Sequence, residues 1–89
     1  MDLERWKNFS FRQQLMMIGA ELIRARTWQN KDQDKFLTAL SRALELIDLT
    51  LLDSRWRNNL LMILRLRDET AKFFCAERSD DILSLYRAL

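Results

Sequence analysis

The chain has no proline, no valine and a single glycine, Gly19. These 89 residues therefore almost lack the types that make tight turns or fill β-sheets. Leu, Ala, Met, Arg and Glu dominate instead, and they lose little side-chain freedom in a helix. A sheet of several strands would need β-branched residues separated by Gly, Asn or Asp turns. The sequence predicts an all-α fold: a small antiparallel bundle of three longer helices plus a short C-terminal helix, forming a single helical domain over residues 1–89.

Capping signals and apolar periodicity place those helices. Ser10-Phe11-Arg12-Gln13 has capping-box spacing, so a helix starts after Ser10. Phe11, Leu15, Ile18, Leu22 and Ala25 then recur at steps of four and three to about Trp28. Gly19 inside this helix costs about 1 kcal/mol relative to Ala and points to close approach of a neighbour. Asn30 or Asp32 caps the second helix, whose stripe is Phe36, Leu37, Leu40, Ala43, Leu44, Ile47 and Leu51. Asp53 or Ser54 caps a third, from near Arg55 to about Ala76, with Trp56, Leu60, Ile63, Leu64, Ala71 and Phe74 on its inner side. Ser79-Asp80-Asp81 introduces a short terminal helix containing Ile82, Leu83, Leu85 and Tyr86.

Two segments are too apolar for a surface helix of a monomer. Leu44 to Leu52 and Leu60 to Leu66 carry apolar residues around most of the helix circumference. A bundle this small has no central helix to bury, so a second chain is the economical cover. Leu46, Leu49, Leu52, Leu61, Met62 and Leu66 are the expected interface of a homodimer. The alternative is cover from within the chain, by the terminal helix and by Leu3, Trp6 and Phe9.

Eleven of the 15 cations are Arg, although the net charge is only +2. The pairs Arg24/Arg26, Arg55/Arg57 and Arg65/Arg67 are two residues apart, which spreads charge over opposite helix faces. Arg67 follows Leu60, Ile63 and Leu64 on the expected inner side. A buried Arg needs a carboxylate, and Glu45 or Asp48 is the expected partner in a structural ion pair.

Subtraction removes most enzyme chemistry. The chain has no His, hence no imidazole base and no His-containing metal site, and it has no glycine-rich phosphate loop. Glu45-x-x-Asp48 resembles one half of the magnesium-holding acidic pairs of MazG-type pyrophosphohydrolases. The second pair is missing, since Glu21-x-x-Arg24 ends in a cation. No cofactor and no metal site are expected. Cys75, in Phe73-Phe74-Cys75-Ala76, is expected to be a buried, inert thiol. Trp6, Trp28 and Trp56 lie near helix ends, where they pack or mildly favour an interaction surface.

Residues Phe9 to Leu15, Arg42 to Leu51 and Leu64 to Glu69 resemble segments of a group of short, uncharacterised bacterial all-helical proteins. In size and helicity such proteins are similar to the HEPN domains of toxin–antitoxin pairs. The resemblance implies no nuclease activity here, because the HEPN Arg-x(4 to 6)-His motif requires a His.

The functional expectation is a non-catalytic helical bundle serving as a small protein-interaction or accessory subunit, not an enzyme. The alternative is a nucleic-acid or nucleotide binder that gathers Arg across a dimer. A lone Cys and a charged N-terminal segment, MDLERWKNF, imply a reducing, cytoplasmic setting without a signal peptide. The longest uninterrupted apolar run, Leu60 to Leu64, is too short to span a membrane.

Overall fold

The computed structural model describes residues Met1–Leu89 and contains only helices and their connections. They are α1 (Leu3–Lys7), α2 (Phe11–Trp28), α3 (Gln33–Leu52), a 3-10 segment (Ser54–Asn59), α4 (Leu60–Phe74) and α5 (Leu83–Arg87). The all-α bundle expected from composition is present. No helix is long and apolar enough to cross a membrane.

The starts of α2 and α3 follow their caps. Ser10 accepts from the Gln13 amide at 3.2 Å while the Gln13 side chain accepts from the Ser10 amide at 2.8 Å, a complete capping box. Asp32, of the two residues considered, caps α3 by accepting from the Lys35 amide. Asp53 caps the 3-10 segment through the Arg55 amide.

α3 is the central element, packed on α2 and α4, and α5 lies across α2 and α4. The core runs through Ile18, Leu22 and Ala25 of α2, Phe36, Leu40, Ala43 and Ile47 of α3, and Ile63, Leu66 and Phe73 of α4. The α2 stripe is therefore as expected except at its start, where Phe11 is exposed. The α4 stripe is not. Leu60, Leu64 and Phe74 face outward, and the buried positions are Ile63, Leu66, Thr70 and Phe73.

The reason lies upstream. Extending α-helical periodicity back through Trp56 assumes about 100° per residue, whereas a 3-10 segment turns about 120°. Between Trp56 and the start of α4 the difference accumulates to roughly 80°, about a fifth of a turn. The same rotation corrects the reading of Cys75, which is exposed one residue beyond the end of α4.

A polar cluster fastens the bundle at one end. Gln14 is fully buried, and its amide nitrogen donates to the Trp6 carbonyl at 2.8 Å and to Asp53 Oδ2 at 3.2 Å. Its oxygen accepts from Trp56 Nε1. Trp6 Nε1 donates to Thr50 Oγ1 at 3.0 Å, and that hydroxyl donates to the Leu46 carbonyl. Arg55 forks onto Asp53, with Nη2–Oδ2 at 2.6 Å, and its Nη2 also donates to the Phe9 carbonyl. α1, α2, α3 and the 3-10 segment thus share one buried set of satisfied hydrogen bonds. The Arg55 hydrogen bonds hold the Asp53 carboxyl well below the usual carboxylate range, against the opposing effect of burial and with help from Gln14.

α5 is held differently at its two ends. Near its start the Gln29 side chain donates to the Asp80 carbonyl and accepts from the Ile82 amide. Arg78 bonds both oxygens of Asp80, Glu69 Oε2 at 2.7 Å and Ser84 Oγ at 3.0 Å, with its guanidinium over the Phe73 ring. At the far end only packing acts, because Tyr86 and Leu89 lie against Gly19. A Cβ on Gly19 would meet Tyr86 Cε2 at 3.0 Å and Leu89 Cδ1 at 3.3 Å. Gly19 accordingly serves the close approach expected of it.

Candidate interaction surface

The five leucines and one methionine expected at an interface are divided by the fold. Leu52 and Leu61 are 66% and 65% exposed, and Met62 is also exposed. Leu46 and Leu49 are half-buried, packed against the chain's own core. Leu66 is a core residue, 8% exposed, so its assignment to an interface is corrected. It faces inward because of the rotation of α4, and Leu64 takes an outward position in its place. Within-chain cover also contributes, since Trp6 is fully buried and Phe9 packs on the core.

The expected ion pair forms with one of its two candidate acids. Arg67 Nε lies 2.6 Å from Asp48 Oδ1, while Glu45 lies 3.4 Å from the N-terminal ammonium. The pair is on the surface, not buried: the Arg67 and Asp48 side chains are 44% and 50% exposed. It bridges α4 to α3, and the Asp48 hydrogen bond raises the Arg67 pKa. At that exposure such a pair is worth at most about 1 kcal/mol. Both acids of Glu45-x-x-Asp48 thus face cations, and no group of three or more His, Cys, Asp or Glu side chains is placed to hold a metal ion.

The Arg-x-Arg pairs are mostly engaged inside the chain. Arg24 pairs with Glu21, Arg26 with Asp81, Arg55 with Asp53 and Arg67 with Asp48. Only Arg57 and Arg65 of those six residues have no carboxylate partner. Trp6 and Trp56 are buried, and Trp28 is half-buried beneath the Lys35 ammonium, 4.1 Å from the ring centroid.

Around α5 the structure shows a surface that periodicity did not reveal. Two open grooves flank this helix. One, of about 450 Å³, lies between α4 and α5 and includes Leu61, Met62, Arg65, Glu69 and Leu85. The other, of about 780 Å³, lies between α2 and α5 and includes Arg12, Met16, Ile23, Tyr86 and Arg87. Leu89 lines both. Their charged residues differ. Glu69 in the first is already bonded to Lys72 and Arg78, which hold its carboxyl below the ordinary range. The second contains only cations.

Despite these grooves the single chain is well closed. Its accessible surface is 5811 Å², close to the roughly 5,500 Å² typical of a folded chain of 10.8 kDa. The exposed leucines are therefore a local feature of an otherwise ordinary surface. No protein family, no curated protein and no solved structure matches this chain.

Proposed function

We propose that the chain is a non-catalytic helical interaction module, a small accessory subunit that works in the cytoplasm and self-associates as a homodimer through the outer face of α4. The observation that carries this reading is the exposure of Leu61, Met62 and Leu64, which lie within one turn of α4 around the buried Ile63. Exposed leucines there are not required by the fold, whose core is supplied by Ile63, Leu66 and Phe73 on the opposite side. Covering each such side chain stabilises association by about 1.5–3 kcal/mol before ordering costs. The absence of His from the sequence and the engagement of Glu45 and Asp48 by cations support a role without catalysis. Similarity in size to HEPN domains fits that role, since a bundle lacking the motif's His retains only its surfaces.

Light scattering after gel filtration at micromolar concentration tests the dimer. The expected mass is twice 10.8 kDa, returning to the single-chain value in Leu61→Lys/Leu64→Lys with an unchanged helical circular dichroism spectrum. A single-chain mass for the unsubstituted protein at every concentration would overturn self-association. The nucleic-acid reading has less support, because four of the six Arg-x-Arg cations are ion-paired internally. Salt-sensitive binding of labelled RNA or DNA would revive it.

A further inference from the structure

We propose that the groove between α2 and α5 docks an amphipathic helix from a partner protein, one whose apolar stripe is flanked by acidic residues. The proposal deepens the interaction-module reading but uses a different face from the α4 dimer contact.

The first argument is shape and lining. The groove is open and mostly apolar, with Met16 at 64% exposure and Ile23, Tyr86 and Leu89 each more than a third exposed. Both walls are helical, so the groove offers no free strand edge for an extended peptide. From Arg12 to Ile23 the α2 wall is about 16 Å long, the rise of about three helical turns. Helices docked in grooves use anchors at i, i+3, i+4 and i+7, which this length accommodates. Met adapts its shape to apolar partners and Tyr offers a rigid amphipathic face, both common at such contacts.

The second argument is charge. Arg12 and Arg87 carry the only charged side chains lining the groove, and neither is ion-paired. Arg5, Arg42, Arg57 and Arg65 are likewise without a carboxylate, but none of them lines this groove. α5 runs antiparallel to α2, since Asp81 meets Arg26 while Tyr86 and Leu89 reach back to Gly19. Arg87, next to Tyr86, is thereby set beside the middle of α2, and Arg12 stands in the first turn of that helix. That turn has no acidic residue, so Arg12 adds to the positive end of the helix dipole where an acid would be favoured. Carboxylates from a partner would offset this local excess, and Arg is suited to bind them through its planar fork. One cation on each wall, with apolar side chains between them, matches a helix whose apolar stripe is flanked by acids.

The test is selection from a displayed library of random peptides of about 16 residues against the full chain. Enriched sequences are expected to carry Leu, Ile or Met at helical spacing, flanked by Glu or Asp. A labelled peptide made from them should bind by fluorescence anisotropy, and lose at least about tenfold in affinity to Met16→Lys and to Arg12→Glu/Arg87→Glu. Changing the peptide's acids to Lys should restore binding to the double Arg variant, which a merely unfolded variant could not show. Leu61→Lys should leave peptide binding unchanged. The proposal is overturned if nothing is enriched, if the enriched peptides lack acids, or if binding ignores the Arg substitutions. It is equally overturned if anionic vesicles bind through these residues and peptides do not, or if Met16→Lys dissociates a dimer, making a second copy the occupant. A dimer broken by Leu61→Lys with no peptide enrichment would leave the α4 reading standing and remove this one.

Discussion

Gln14 uses three of its hydrogen-bonding positions on Trp6, Asp53 and Trp56, all of which come from other segments of the chain. A polar side chain in such a place is costly to replace, because its partners are left without bonds while still buried. Gln14→Leu, nearly equal in size, is expected to lower the unfolding free energy by about 2–4 kcal/mol in urea titrations. Asp53, 1% exposed, sets the acid response. Its folded-state pKa is depressed, chiefly by the Arg55 hydrogen bond, so its stabilising contribution is complete above the unfolded value near 4. The contribution is lost as pH falls through the lower, folded value. Thermal unfolding followed from pH 6 to pH 2 should therefore show a steep loss of stability below about pH 4, with a shallower loss in Asp53→Asn.

Among the elements, α2 could be located from sequence and α4 could not be oriented. Ser10 and Gln13 mark the start of α2, and polar residues between its apolar positions fix the phase of the stripe at Ile18, Leu22 and Ala25. Leu60 to Leu64 is apolar at every position, so it contains no phase of its own, and the phase was carried over from Trp56 across a 3-10 segment. That is why Leu66 was placed outside and Leu64 inside. The two leucines offer a direct check. Leu66→Ala should cost about 2–5 kcal/mol, whereas Leu61→Ala should stay within about 0.5 kcal/mol for the monomer. Denaturant titration of both at a concentration below dimer formation separates them. α1 escaped notice because five residues are too few to display a periodicity. The α2/α5 groove was invisible for a related reason: it is made by a tertiary contact, and its one sequence trace was the glycine in mid-helix.

For the whole molecule, the short N-terminal helix is part of the core and not an appendage. Trp6 is fully buried and closes the polar cluster on Thr50. A domain of this size has a total stability of roughly 4–13 kcal/mol, and removing a buried Trp typically costs about 3–5. Deleting residues 1–8 is therefore expected to leave a chain that is largely unfolded at 37 °C, seen as lost helical circular dichroism and a flattened calorimetric transition. The 15 buried apolar residues form one cluster, so unfolding of the intact chain should be a single cooperative step.

The unequal fastening of α5 gives the molecule a pivot. Its first turn is pinned by Gln29 and Arg78, whereas its last residues rest on a glycine without a polar bond to either neighbour. Leu89, at the free end of this lever, belongs to both grooves. The last turn of α5, shared by both grooves, is thus placed by apolar packing alone.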